Sequence, residues 1–340
     1  MLIDRYDAAL FDLDGVLYLG PDPVAGAPEA VGQLQQRGVR VGFVTNNAAR
    51  TPEAVADQLR GFGIGCKEDD IVTSAQAAAR EVLDRFGAGA RVLAVGTDGL
   101  RTALDELGLV AVETADDEPV AVVQGYDPQL RWELITEAAL AIRHGATWIA
   151  TNTDPTRPTE RGLVPGNGSA VAAVRAAVET DPIVAGKPYR PLMEETVRRL
   201  TADRPIFVGD RIDTDIAGAG NLDMDSMLVL TGAHGPVQLF SAVGIERPTH
   251  VGRSAAALLE PVREVRQAGE DRVAVGEIEA YVAVTGGRQQ LALSRDPSAE
   301  QLVDAIWAAT RLAWQCADAQ LPVDGLALAG QLSTQLQQEE

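Results

Sequence analysis

Ala9-Leu10-Phe11-Asp12-Leu13-Asp14-Gly15-Val16 is an apolar run that stops at two carboxylates spaced two apart, followed by a glycine. Carboxylates are costly to bury unless paired, and a hard cation held by oxygen is the usual way to bring them together. The same punctuation recurs three times. Val41-Gly42-Phe43-Val44 runs into Thr45-Asn46-Asn47, and Ile183-Val184-Ala185-Gly186 stops at Lys187-Pro188. Pro205-Ile206-Phe207-Val208-Gly209 runs into Asp210-Arg211-Ile212-Asp213-Thr214-Asp215. Four apolar strand candidates thus end in polar chemistry. An open parallel sheet of an α/β fold builds its site in this way, at the carboxyl ends of its strands.

Outward from these runs, strands alternate with helices. A helix is expected around Pro28 to Gln36 and a strand at Val39–Val44, and Thr51-Pro52-Glu53 reads as a helix start with Thr51 as N-cap. A second block follows, with strands at Arg91–Gly96, Val120–Val123 and Thr147–Thr151 and helices at Thr102–Leu107 and Trp132–His144. Spacing then sets the organisation. Thirty-one positions separate Asp14 from Thr45, room for one helical crossover, whereas 142 separate Thr45 from Lys187. A crossover and strand need roughly 30 residues, so about a hundred remain for an inserted domain. The expected division is a discontinuous core of 1–73 and 182–249, an inserted α/β cap of 74–181 acting as a lid, and an extension of 250–340. Within the core a further strand is expected at Ser226–Leu230. The extension reads as β-β-α: apolar runs at Val273–Val284 and Gln289–Leu293, then helical periodicity from Ala299 to Ala319, with a frayed polar end from Gln331 to Glu340. Dimerisation element, lid and fragment of an acetyltransferase-like fold remain open for it, and a homodimer is compatible with the first.

Composition narrows the function. The 340 residues carry a net charge of −20, which repels nucleic acid and anionic membrane surfaces alike. A bound metal and a nearby lysine would outweigh that distant, screened charge for a phosphorylated substrate. No apolar stretch approaches the roughly 20 residues of a membrane span. Neither an export signal nor a disulfide framework is expected, with only Cys66 and Cys316 present, so a cytoplasmic protein is expected.

Asp12 and Asp14, two apart near a strand end, can face one crevice. One can then attack phosphorus while the other handles the proton of the leaving or entering oxygen. The plain alternative is a polar turn before glycine. Asp210 and Asp215 form a second acidic cluster, and magnesium asks for a few hard oxygens. Thr45 and Asn46 offer neutral donors for phosphoryl oxygens, and equally suit a cap or turn. Lys187, alone, would be solvated surface. Joint occurrence in one order, each after an apolar run, favours the site. Gly96-Thr97-Asp98-Gly99 lacks dinucleotide-binding spacing and reads as a turn. His144, His234 and His250 receive no role, and Trp307 and Trp314, seven apart, read as packing.

With these motifs the chain resembles the haloacid dehalogenase (HAD) superfamily of phosphohydrolases over about its first 250 residues. The late insertion, with Thr151-Asn152-Thr153-Asp154-Pro155 and Pro165-Gly166-Asn167-Gly168-Ser169, is similar to the branch of NagD-like, p-nitrophenylphosphatase-like and phosphoglycolate phosphatases. Within that branch the resemblance is to bacterial glycerol-3-phosphate phosphatases. The resemblance implies a Rossmann-like core and Mg2+-dependent hydrolysis of a small phosphorylated metabolite. It implies Asp12 as nucleophile forming an aspartyl-phosphate and Asp14 as acid and base. Thr45, Asn46 and Asn47 would grip phosphoryl oxygens, and Lys187 would offset charge on the phosphoryl group and the attacking carboxylate. Asp12, the main-chain oxygen of Asp14, and Asp210 would hold the metal, with Asp215 orienting metal waters. Arg157 falls where relatives often carry a substrate-contacting residue, some of them a His. Glycerol 3-phosphate is the expected substrate; phosphoglycolate, pyridoxal phosphate and nucleotide or sugar phosphates are alternatives. A phosphotransferase is disfavoured because family mutases carry their cap between the first two motifs, and a non-catalytic sensor because it needs no nucleophile.

Overall fold

The computed structural model describes residues 1–159 and 161–338, and the chain divides into two compact units, Met1–Val39 with Arg204–Glu340, and Arg40–Asp203. In the first unit, strands Ala8–Phe11, Pro205–Gly209, Asp225–Val229 and His250–Gly252 run parallel, each paired to the next. Their residues are apolar at nearly every position rather than alternately, and most are fully buried, as a sheet covered on both faces requires. The last of these strands carries the sheet three residues past the expected boundary at 249.

The C-terminal residues are a continuous part of this unit. Strands Val265–Gly269, Arg272–Val275, Ile278–Thr285 and Arg288–Leu293 form an antiparallel meander, and Val323–Asp324 adds a parallel edge. The apolar run Val273–Val284 is therefore a hairpin rather than one strand, reversing at Gly276, whose φ of +56° suits a residue without Cβ. Helix Leu302–Asp318 covers the sheet. Its Trp307 and Trp314 meet edge to face at 5.5 Å, and Trp314 Nε1 donates to Leu239 O at 2.9 Å. That bond ties the extension to the helix Pro236–Phe240. One apolar cluster runs from Ile212 and Leu228 through Phe240 to Val273, Trp307 and Leu332. The expected fraying from Gln331 does not occur through Gln338: Leu326–Gln338 is a helix that buries Leu328, Ala329, Leu332 and Leu336. Its apolar positions, spaced by three or four, form the buried stripe that a composition rich in Gln concealed. Glu339 and Glu340 lie outside the described residues.

In the second unit, Arg40–Thr45 pairs parallel with Ile71–Thr73. A five-stranded parallel sheet runs in the order Ile183–Val184, Thr147–Ala150, Ala121–Gln124, Arg91–Val95, Val110–Val112. Helices Asp98–Glu106, Trp132–Arg143 and Asn167–Arg175 connect it, and a short antiparallel ribbon joins Thr156–Thr159 to Gly162–Pro165. Thr51 caps helix Pro52–Gly61, accepting from the Ala54 N–H. Here one expectation is corrected. The run at Ile183 does not extend the sheet that carries Asp12; Ile183 pairs with Ile149 and Val184 with Ala150, at the edge of the five-stranded sheet. A short apolar run says that a segment is a buried strand, and nothing about which sheet accepts it.

Candidate active site

The carboxylate cluster follows from strand register. Phe11 sits opposite Val208, and the Asp12 N–H continues the ladder by donating to Val208 O at 2.9 Å. Asp12 and Asp210 therefore leave adjacent parallel strands side by side, at the spacing of about 4.8 Å between such strands. After Asp210 the chain makes a wide helical turn, Ile212–Ile216, that returns Asp215. Asp215 Oδ2 accepts from the N–H groups of Asp210 and Arg211 at 3.2 and 3.1 Å. The carboxylates of Asp12, Asp210 and Asp215 come within 4.8 Å of one another, the latter two buried and Asp12 half-buried.

Three ionised carboxylates at that spacing repel by about 3–4 kcal/mol per pair at an effective dielectric of about 20. Backbone hydrogen bonds do not offset that, and a divalent cation does. The donor set is all hard oxygen, and the loops around it are packed to the backbone. Gly15 adopts φ +83°, and a Cβ there or at Gly232 would overlap the Asp210 carboxylate. Asp210 Oδ2 accepts from the Ala233 N–H at 2.6 Å, and Thr231 Oγ1 donates to Gly15 O at 2.6 Å. The residues present fit a small oxygen-seeking ion such as Mg2+. Asp14 is exposed and accepts from Tyr18 Oη at 3.4 Å, and its side chain lies outside the three-carboxylate cluster. His234, given no role in the sequence, fastens the loop: its Nδ1 accepts from the Ile212 N–H at 2.9 Å. Burial pushes this imidazole below its ordinary pKa, which keeps Nδ1 available as an acceptor.

The second unit holds the neutral and cationic residues. Thr45 ends its strand, and its Oγ1 accepts from the Asn47 N–H at 3.1 Å. Asn46 clasps the lysine backbone from both sides: Oδ1 accepts from the Lys187 N–H at 2.7 Å, and Nδ2 donates to Lys187 O at 3.1 Å. Nδ2 also reaches Asp154 Oδ2 at 3.4 Å. The side-chain amide of Asn46 thus holds the Lys187 backbone on both sides, a positioning contact that the sequence reading did not include. A Cβ at Gly186 would meet Asn46 Oδ1 at 2.7 Å, so the glycine before the lysine is what admits the clasp. Lys187 itself is 4% exposed. Behind it lies a net of neutral bonds. Ser74 Oγ and Asn152 Nδ2 donate to Asn46 O at 2.7 and 2.8 Å, and Asn167 Nδ2 donates to Asn152 O at 2.7 Å and Gln124 O at 3.2 Å. Ser74 had no distinguishing signal in the sequence beyond following a strand. Asn47 is exposed and its Oδ1 accepts from the Ala49 N–H at 2.9 Å. Arg157, exposed on the ribbon, lies 5.0 Å from the Tyr126 ring centroid, a cation–π distance.

Sequence profiles of haloacid dehalogenase-like hydrolases match residues 9–110 and 184–258. A D-glycerol 3-phosphate phosphatase of Mycobacterium tuberculosis is 45% identical over 257 residues, 76% of this chain and 72% of that protein. The chain belongs to the haloacid dehalogenase-like hydrolases. More particularly, an acid sugar phosphatase of Staphylococcus aureus is 40% identical over 230 residues, 67% of this chain and 88% of its own. A crystal structure of a glycerol phosphate phosphatase from M. tuberculosis in complex with magnesium superposes with a TM-score of 0.83 and 38% identity, covering 95% of this chain and 94% of that one. A p-nitrophenyl phosphatase from Archaeoglobus fulgidus gives a TM-score of 0.69 at 32% identity over 75% of this chain and 99% of its own. Among the described residues, no helix is long and apolar enough to cross a membrane.

Proposed function

We propose that this protein is a Mg2+-dependent phosphatase that hydrolyses glycerol 3-phosphate through an aspartyl-phosphate on Asp12. The observation that carries the reading is the cluster of Asp12, Asp210 and Asp215 at the ends of adjacent strands. Asp12, the main-chain oxygen of Asp14, and Asp210 would hold the ion, with Asp215 beside them. Bound there, Mg2+ supplies positive charge against the repulsion between a carboxylate and a phosphate dianion.

In the first displacement, an Asp12 carboxylate oxygen forms a bond to phosphorus as the ester P–O bond breaks. The proton on Asp14 passes to the departing alkoxide. In the second, water attacks phosphorus, its proton passes to Asp14, and the bond to Asp12 breaks, regenerating both groups. Thr45 and the segment through Asn47 bind phosphoryl oxygens without adding charge. Lys187, set by Asn46, neutralises charge building on the phosphoryl group. Arg157 and Tyr126 contact the alcohol portion of the substrate. We read 74–181 as the inserted cap on a core of 1–73 and 182–249, and 250–340 as the extension. The partner is a small phosphorylated metabolite, with neither nucleic acid nor membrane involved, in the cytoplasm, and a homodimer is compatible with that setting.

A second reading, an acid sugar phosphatase, is favoured by the 40% identity to the S. aureus enzymes. Phosphate release from glycerol 3-phosphate, phosphoglycolate, pyridoxal phosphate, nucleoside monophosphates and sugar phosphates tests both. The highest kcat/KM is expected on glycerol 3-phosphate, and a sugar phosphate in that place selects the second reading. Transfer to an added alcohol in preference to water would mark a phosphotransferase.

A further inference from the structure

We propose that an open cavity of about 430 Å³ between the start of the chain, the strand at His250 and the C-terminal helix Leu302–Asp318 binds an oligoanion, a compact molecule with two or three phosphate or carboxylate charges. Its lining includes Arg5, Arg263, Arg266 and Arg311 against a single acidic residue, Glu264. Acidic residues outnumber lysine and arginine 49 to 29 in this chain, so four guanidinium groups around one cavity run against its composition. Arg263 is spent on Glu260 and Asp304, at 2.7 and 3.0 Å. Among the described residues the other three have no carboxylate within ion-pair distance. Arg266 donates to the carbonyl of Gly276 at 2.8 Å, and Arg311 lies over the rings of Trp307 and Trp314 at 5.3 and 6.0 Å.

The cation–π contact matters because it holds the Arg311 guanidinium against an aromatic wall, where its N–H groups can meet an anion. Burial, and then the nearby Arg247, push the pKa of Arg311 down from its ordinary value, and a bound anion would offset the repulsion from Arg247. Trp307, 2% exposed and itself part of the lining, gives the cavity a rigid wall. The volume exceeds what one inorganic phosphate fills and lies in the range of small-ligand sites. Guanidinium forks pair with carboxylates and phosphates in the same bidentate geometry, so the lining specifies charge and size before it specifies the acid. The site is separate from the carboxylate cluster and does not depend on the phosphatase reading.

Titration calorimetry of the full chain in Mg2+-free buffer, with sodium pyrophosphate and separately with citrate, tests the proposal. One pyrophosphate is expected per chain, with Kd weakened at least tenfold in the double variant Arg5→Gln/Arg266→Gln. Both positions are exposed, so that variant should keep its Tm and its turnover of p-nitrophenyl phosphate. Equal binding of citrate identifies the ligand class by charge alone, and preference for pyrophosphate identifies a phosphoanion; each supports the site. Arg311→Gln should abolish binding, and if its loss of stacking unfolds the extension the exposed pair decides. Absence of binding by both anions, or a loss below tenfold in the double variant, overturns the proposal.

Discussion

The carboxylate cluster of one unit and the amide net of the other solve opposite electrostatic problems. Asp12, Asp210 and Asp215 are like charges within 4.8 Å, steadied by backbone N–H groups and by glycines that let the loops close in. Asn46, Asn152, Asn167 and Ser74 are neutral, and they pass hydrogen bonds from one loop to the next until the Lys187 backbone is clasped on both sides. The first arrangement stores a demand for a cation; the second supplies geometry without adding charge. Loss of a member of the first should therefore abolish the chemistry, whereas loss of a member of the second should misplace a group that is still present.

The largest effect is expected from Asp12→Asn, which should lower kcat for p-nitrophenyl phosphate by more than roughly 10³-fold with the circular dichroism spectrum unchanged. Wild-type turnover would falsify the nucleophile assignment. EDTA should silence the wild-type enzyme and Mg2+ restore it, and full activity in chelator would mean that the three carboxylates hold no ion. Asp14→Asn should cost about 10²- to 10⁴-fold on glycerol 3-phosphate and much less on p-nitrophenyl phosphate, whose phenolate leaves without a proton. Equal losses on the two substrates would remove its acid role. Asn46→Ala should lower kcat about 10- to 100-fold, through displacement of Lys187. If the comparison holds, Asn46→Ala/Lys187→Ala should be no slower than Lys187→Ala alone, and additive losses would show that Asn46 acts directly.

The smallest effect concerns stability. Glu195, 1% exposed on the helix that follows Lys187, accepts from Arg198 at 2.7 and 2.9 Å and from Arg199 at 2.7 Å. Burial alone would raise its pKa, and the two arginines outweigh burial and hold it below the usual 4.5. A depressed carboxylate pKa stabilises the fold above the unfolded value, and that contribution is lost as pH falls through the folded value. Glu195→Gln should lower stability at pH 7 by about 1–3 kcal/mol and flatten the decline in Tm below about pH 4.5. An unchanged acid limb would show that the pair contributes nothing.

How much was legible from the chain can be followed residue by residue. Asp12 and Asp210 are legible as strand ends because each follows an apolar run, and the structure brings their carboxylates together with that of Asp215. An asparagine after a strand announces hydrogen bonding, but not that the Asn46 amide meets Lys187, 141 positions away. Ile183 and Val184 were correctly strand and wrongly placed, since pairing partners are long-range. The terminal helix was hidden by glutamines on its solvent face.

By itself the sequence determined the α/β class, the strands that end at the acidic residues and the chemical types present, because periodicity and turn residues act over a few positions. Only the tertiary structure decided which strand received Ile183, that the Asn46 amide meets the Lys187 backbone, and that four arginines from three separate segments line one cavity. Those outcomes depend on register and on packing between residues far apart in the chain, where hydrophobicity favours burial in general and close fit selects the partner.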